Sequence, residues 1–122
     1  MSFSTVWQDY NTQRLRRYGM VPKLIAIARP FVTTKEKELH ALMETLERAR
    51  KLQEFGFALL GEQFEEEKKL GKEIRTFLIC CHHHHALLLK TAYMDFENDL
   101  LDAEAHMHAL AGLVVGLHRK LA

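Results

Sequence analysis

The C-terminal third of the chain carries the feature that most restricts its fold, an unbroken heptad stripe of apolar residues. The stripe recurs at alternating spacings of three and four residues, at Tyr93, Phe96, Leu100, Ala103, Met107, Leu110, Val114, Leu117 and Leu121. This spacing places every member on one side of an α-helix. Basic residues from His118 to Lys120 fall in the expected last turn, where they complement the negative end of the helix dipole. The stripe therefore predicts one long helix with a single buried seam.

Two neighbouring helical stripes run through the first 32 residues, which predicts a helix that contacts two others. They consist of Phe3, Val6, Tyr10, Gln13, Arg17, Met20, Leu24, Ile27 and Phe31, and of Trp7, Tyr18, Val21, Ile25, Ala28 and Val32. Pro22 lies inside this pattern and removes one backbone donor, so a kink is expected there. Pro30, followed by Thr33 and Thr34, marks the end of this helix.

A second helix is expected after Thr34, whose side chain can cap its first turn. Its apolar side consists of Leu39, Leu42, Leu46 and Ala49, continued with a shift of phase through Leu52, Phe55 and Leu59. Gly61 is expected to end it.

The segment "EQFEEEKKL" predicts the start of a third helix, because carboxylates are favoured at the positive end of the helix dipole. We interpret this charged run as a solvated face. The core side of the third helix consists of Leu70, Ile74, Phe77 and Cys81.

These elements predict an all-α fold, an antiparallel up-and-down four-helix bundle with a proline-kinked first helix, in a single domain over residues 1–122. No Pro, Gly or Asn separates Cys80 from Thr91, so one continuous helix from about 62 to 121 is the alternative. Such a helix would be about 90 Å long and would need a second chain to pack against. A turn between 82 and 91, with Thr91 as its cap, is the more economical prediction.

Composition indicates an ordinary soluble protein, with 48% hydrophobic residues and a net charge of +1. That balance disfavours nucleic-acid binding, which needs a surplus of Lys and Arg. No run free of Asp, Glu, Lys and Arg reaches the roughly 20 residues of a membrane span, and no secretory signal is predicted. The adjacent thiols of Cys80 and Cys81 favour a reducing compartment, so we expect a cytoplasmic location.

The segment "ICCHHHHALLL" is the strongest candidate for metal binding. On a helix only residues three or four apart converge, which leaves the pairs Cys80–His84, Cys81–His85, Cys81–His84 and His82–His85. Sulfur and imidazole ligands suit Zn²⁺, Ni²⁺ or Cu⁺. Such a pair needs further ligands, from His106, His108, Asp102 or a second subunit. The alternative interpretation is a polar turn with no bound ion.

Sequence patterns of helical enzymes are missing. No Glu-x-x-His, His-x-x-x-His or C-x-x-C occurs, and no glycine-rich phosphate loop follows a strand. Cys81 and His85 form a conceivable nucleophile pair, but no orienting acid is evident. We therefore predict a protein without enzymatic activity or cofactor.

Small residues recur near the C-terminus, where Gly112 and Gly116 form a GxxxG motif extended upstream by Ala105 and Ala109. Such residues let another backbone approach closely. The motif predicts either tight packing inside the bundle or a dimer contact. Self-association is expected through Gly112 and Gly116 or through the exposed side of the first helix, with Arg16 and Arg17 as candidate contact residues.

The first helix resembles the signature segment of the bacterial LemA family. The resemblance is carried by Trp7, Gln13, Arg16–Arg17, Val21–Pro22 and Leu24–Ile25, which read "W-x5-Q-x2-RR-x3-VP-x-LI". The segments "KEKELHALMETLERAR" and "FENDLLDAEAHM" are similar to later parts of the family pattern.

The LemA resemblance implies an antiparallel bundle of long helices, normally tethered by an N-terminal membrane helix, with no established enzymatic activity. It also implies that the histidine run is the turn between the third and fourth helices. The chain departs from the family pattern at Gly19 and Pro30, and the membrane helix does not precede Trp7. A membrane-associated interaction or scaffold protein at the inner face of the cell membrane is the function that the resemblance implies, and a metal-binding bundle is the alternative.

Overall fold

The computed structural model describes residues 2–121, and this part of the chain is helical without any β-strand. The helices are α1 (Phe3–Ala28), α2 (Glu36–Gln53), α3 (Leu60–Cys81), α4 (His85–Leu88) and α5 (Thr91–Leu121), with a 3-10 turn at Thr33–Lys35. Four of these helices are long, and α4 is a single turn. The predicted all-helical class is confirmed.

Helix α1 continues through Pro22 and ends at Ala28. Because Pro22 has no N–H group, the Tyr18 carbonyl four residues earlier lacks its helical donor. Arg50 of α2 replaces that donor, since its Nη2 donates a hydrogen bond to the Tyr18 carbonyl oxygen at 3.0 Å. The proline therefore sits where α2 is tied to the middle of α1.

Helices α1 and α5 form one closely packed pair and run antiparallel. The rings of Phe3 and His118 lie 6.0 Å apart at one end of the pair. Farther along α1, the Arg16 guanidinium bonds to the Asp102 carboxylate at 2.9 Å. Residue numbers thus rise along α1 as they fall along α5.

Helices α3 and α5 also run antiparallel, although they contact each other less closely. Arg75 forms an ion pair with Glu104, and His82, just beyond α3, contacts Glu97. The closer partner of α3 is α2.

The interior contains two apolar clusters. The larger one includes Leu24, Leu39, Leu42, Leu46, Leu70, Ile74, Phe77, Leu87, Tyr93 and Leu100. The smaller one consists of Val6, Trp7, Tyr10, Met107 and Val114. Along α1, buried Arg14 and Arg17 lie between the residues of the two clusters.

The predicted heptad seam of α5 is largely buried. Tyr93, Leu100, Ala103, Met107 and Val114 are buried, and Phe96, Leu110 and Leu117 are partly buried. The side chain of Leu121, the last member of the seam, lies outside the described residues.

The connection between α2 and α3 differs from the prediction. Helix α2 ends at Gln53, and Phe55 and Leu59 are exposed instead of continuing its core side. Gly61 does not end α2 but lies in the first turn of α3. Gly56 makes the reversal feasible because it adopts a φ of 59°, which side chains disfavour.

The predicted cap of α2 is wrong. Thr34 belongs to the 3-10 turn, and Lys35 occupies the cap position without a side-chain hydrogen bond. Glu36 and Glu38 in the first turn of α2 supply the negative charge that favours a helix start.

The predicted turn between 82 and 91 is confirmed, so α3 and α5 are not one continuous helix. Helix α3 ends at Cys81, the short α4 follows, and Thr91 is the first residue of α5 rather than a cap outside it. Leu87 in α4 is fully buried, so an apolar contact anchors the reversal where no glycine or proline breaks the helix.

Candidate functional site

One side of α5 faces solvent with a continuous row of uncharged residues. We call this row the outward face of α5; it consists of Met94, Asn98, Leu101, Ala105, Ala109, Gly112 and Gly116. Its members follow one another at spacings of three or four, so they share one side of the helix. All of them are exposed, and none is ionisable.

The glycines of the predicted GxxxG motif lie on this outward face. A Cβ atom added at Gly112 or Gly116 would meet no other atom within 4 Å. The expectation that these glycines permit tight packing inside the bundle is therefore wrong. Their role in an intermolecular contact stays a prediction.

Helix α5 is the one helix within residues 2–121 that is long and apolar enough to cross a membrane by length and composition. Within Thr91–Lys120 an 18-residue window reaches a mean hydropathy of 1.2, and 22% of that window is buried. Most residues of this window are therefore not fully buried.

A shallow groove between α3 and α5 adjoins the outward face. Leu101 belongs to both, and Ile79 of α3, which is 64% exposed, lies on the other wall. His82 and Glu97 also line the groove. Apolar surface thus extends from α5 toward α3.

Cys81 lies in the interior behind this groove, near Tyr93 and Glu97 of α5. Burial raises the pKa of the Cys81 thiol to about 11, against the opposing effect of the neighbouring Tyr93 hydroxyl. The pKa of Tyr93 is also raised, first by burial and then by Cys81 and Glu97. At neutral pH the thiol is protonated, which is the unreactive form. The conceivable nucleophile pair of Cys81 with His85 gains no support, since His85 is exposed on α4.

The candidate metal ligands are distributed over the turn between α3 and α5. Cys80 is partly buried and Cys81 is buried, while His85 is exposed and His84 is half-buried. Across residues 2–121, no group of three or more His, Cys, Asp or Glu side chains could hold a metal ion.

His106 and His108, the other candidate ligands, lie far along α5 from this turn. His106 is fifteen residues beyond Thr91, which is about 22 Å along a helix axis. Its Nε2 lies 3.8 Å from Asp102, one turn earlier on the same helix. His108 is exposed at the edge of the outward face.

Arg17, predicted as a surface contact residue, is in the interior. Its side chain is 3% exposed, and its Nη2 donates to the Glu67 carboxylate at 2.7 Å and to the Glu67 carbonyl at 2.9 Å. The Tyr18 hydroxyl donates to the other carboxylate oxygen of Glu67. The prediction that the acidic run forms a solvated face is therefore wrong at Glu67.

The second of the predicted basic contact residues, Arg16, is half-exposed and is bound within the chain. Its guanidinium bonds to Asp102 at 2.9 Å and lies 3.6 Å from Asp99. The hydrogen bond from Arg16 is the main cause that lowers the pKa of Asp102. Arg16 thus ties α1 to the side of α5.

Comparison of the chain with family models, curated proteins and solved structures finds no match. The resemblance to the LemA family therefore stays a prediction.

Proposed function

We propose that this protein is a non-enzymatic interaction protein that binds another helix through the outward face of α5. The observation that carries the proposal is the exposed row from Met94 to Gly116, which contains no ionisable residue. Solvent-facing sides of helices are normally charged or polar, and large exposed apolar surfaces mark interaction sites.

Residue size on this face suits a helical partner. The side chains on its C-terminal half are small or absent, so that another backbone can approach closely; these residues are Ala105, Ala109, Gly112 and Gly116. Leu101 and neighbouring Ile79 supply exposed apolar area beside these small residues. A partner helix would gain van der Waals contact along α5 and remove apolar surface from water.

The same proposal includes an antiparallel up-and-down bundle of the four long helices. Its support is the antiparallel course of α5 beside α1 and α3. A kink of α1 at Pro22 is part of the proposal, and the diverted hydrogen bond from Arg50 to Tyr18 supports it. An experimental structure that shows a straight α1 would contradict the kink.

We also propose that the protein works at the cytoplasmic face of a membrane, as the LemA resemblance implies. The linker between α2 and α3 exposes Phe55, Phe57 and Leu59. The Phe57 ring lies 5.1 Å from the Phe3 ring, at the end of the molecule where α5 finishes with its basic last turn. Apolar side chains beside basic ones suit the boundary of an anionic bilayer.

Vesicle sedimentation tests the membrane contact. We expect the chain to sediment with vesicles that contain phosphatidylglycerol and to lose most of this binding in a Phe55→Ser, Leu59→Ser variant. Leu15→Ser on α1 is the matched control, because Leu15 is also an exposed apolar residue. Equal losses in both variants would contradict a specific role of the linker.

Photo-crosslinking in cells tests the interaction function. A photoreactive amino acid replaces Ala109 on the outward face of α5 or, as control, exposed Ala41 on α2. We expect discrete adducts of higher mass with the label at 109 and none at 41. Absence of adducts at 109, or the same adducts at both positions, would contradict the proposed function.

A further inference from the structure

The outward face of α5 changes in residue size from one end to the other. Its middle is Ala105. The N-terminal half carries the large residues Met94, Asn98 and Leu101, and the C-terminal half carries the small residues Ala109, Gly112 and Gly116.

We propose that the partner of this face is a second copy of the same chain, packed with its α5 antiparallel about a two-fold axis at Ala105. This inference rests on the function proposed for the outward face. A two-fold axis places each position opposite its counterpart on the other side of Ala105. The facing pairs are Leu101 with Ala109, Asn98 with Gly112, and Met94 with Gly116.

Size complementarity selects this orientation. Each large side chain meets a small residue of the other copy, and the open space above Gly112 and Gly116 receives it. A parallel arrangement would place Leu101 against Leu101 and glycine against glycine. That packing combines crowding at one end with a void at the other, and protein interfaces avoid both. A self-complementary patch of this kind is what a two-fold dimer requires.

Charge along α5 selects the same orientation. Acidic residues flank the N-terminal half of the face, at Asp95, Asp102 and partly buried Glu104, and basic or histidine residues flank the C-terminal half, at His106, His108, Arg119 and Lys120. An antiparallel pair brings each acidic half against the other copy's basic half. A parallel pair brings like charges together.

The histidines nearest the two-fold axis illustrate this charge complementarity. Asp102 and His106 lie on one flank of the outward face, and Glu104 and His108 lie on the other. In the antiparallel pair, Asp102 approaches His106 of the second copy, and Glu104 approaches His108 of the second copy. Arg16 and Arg75 contact Asp102 and Glu104 within the chain and would stay at the rim of this contact.

Disulfide trapping tests the orientation. In a Cys80→Ser background, we expect Ala105→Cys to form a disulfide-linked dimer on mild oxidation. Asn98→Cys and Gly112→Cys should each stay monomeric alone and should link only when mixed. Buried Cys81, with its thiol pKa near 11, should not compete. Self-linking of Asn98→Cys and Gly112→Cys would show a parallel pair and overturn the inference.

A matched glycine pair tests the contact in solution. Gly112→Leu fills the space meant for Asn98 of the second copy, so sedimentation should show dimerisation weakened by about tenfold or more. Gly19→Leu is the control, because Gly19 is also helical and exposed with no atom within 4 Å of an added Cβ. Circular dichroism verifies that both variants fold. Equal dimerisation of the two variants would overturn the inference.

Two further results separate this inference from the proposed function. If the purified chain is monomeric at the highest soluble concentration and Ala105→Cys does not link, the dimer is overturned. Photo-adducts at 109 with other proteins would then still support the interaction function. Binding to phosphatidylcholine vesicles that is lost in Leu101→Glu would show that a membrane covers the face, which overturns both.

Discussion

Helices α2 and α5 both expose an outer side to solvent, but the outer side of α2 is charged and the outward face of α5 is uncharged. The exposed residues of α2 include Lys37, Glu44, Glu47, Arg48 and Lys51, which carry charges of both signs. The outward face of α5 carries no ionisable residue from Met94 to Gly116. The charged outer side of α2 favours contact with water, whereas the uncharged outward face of α5 favours contact with another molecule.

The interior gives a third case, since it holds an ion pair beside buried Arg14, which donates to the neutral amide oxygens of Asn11 and Gln63. Arg17 and Glu67 neutralise each other, and Tyr18 completes the bonding of the carboxylate. Isolated charge in the interior is costly, so removal of one partner should have a larger effect than any change on either surface.

The largest expected effect is therefore that of Glu67→Ala. This substitution leaves the Arg17 guanidinium buried without its counter-ion, and we expect the free energy of unfolding to fall by about 3–5 kcal/mol. Urea denaturation followed by circular dichroism measures it. The neighbouring Glu66→Ala is the control, because Glu66 makes only a surface contact of 3.4 Å with Arg48. Its loss should cost no more than about 1 kcal/mol, and equal effects of the two variants would contradict the account.

Burial disfavours the charged form of a thiol, and Cys81 tests this. Burial raises its thiol pKa from 9.0 to about 11, so the reactive thiolate is about a hundredfold less populated at pH 8 than in an unperturbed cysteine. Iodoacetamide labelling followed by mass spectrometry should modify Cys80 well before Cys81. Labelling of Cys81 should accelerate as the pH rises toward 11 and on unfolding in urea. Equal rates at both cysteines in the folded chain would refute its burial.

A negative charge introduced on each of the two outer faces should affect dimerisation differently. Leu101→Glu puts a carboxylate on the outward face of α5, and dimerisation measured by sedimentation should weaken about tenfold or more. Ala41→Glu puts the same charge on α2 and should leave dimerisation unchanged. If both variants dimerise equally, the difference between the faces has no functional meaning.

The smallest expected effect concerns metal. Untagged protein prepared without a nickel column should contain no stoichiometric zinc, copper or nickel, and Cys80→Ser with Cys81→Ser should leave its metal content unchanged. Elemental analysis measures both. Stoichiometric metal that disappears with the two cysteines would instead favour the metal-binding bundle.

Apolar periodicity predicted the elements that bury a continuous seam. The apolar seam from Tyr93 to Val114 predicted the course of α5. The turn near His82 was predicted because a single helix without it would be too long for a compact chain. The end of α2 was missed because Phe55 and Leu59 continue an apolar spacing, although the reversal at Gly56 exposes them. Spacing alone cannot tell a core residue from an exposed one.

The buried charges were recognisable in part. Arg17 stands on the apolar stripe of the first helix, and Glu67 lies three residues before Leu70 on the core side of α3. Extending both stripes through charged residues would have marked Arg17 and Glu67 as interior positions. The outward face of α5 could not be assigned, because alanine and glycine fit equally well inside a bundle or between two chains, and only the positions of neighbouring helices distinguish these cases.

Two methionines offer the most direct test in the unmodified chain. Met94 on the outward face of α5 is 40% exposed, and Met43 on α2 is 38% exposed, so both should oxidise alike in dilute monomer. As the protein concentration rises, we predict that oxidation of Met94 by hydrogen peroxide slows while that of Met43 stays constant. Equal rates for the two residues at every concentration would contradict a covered α5.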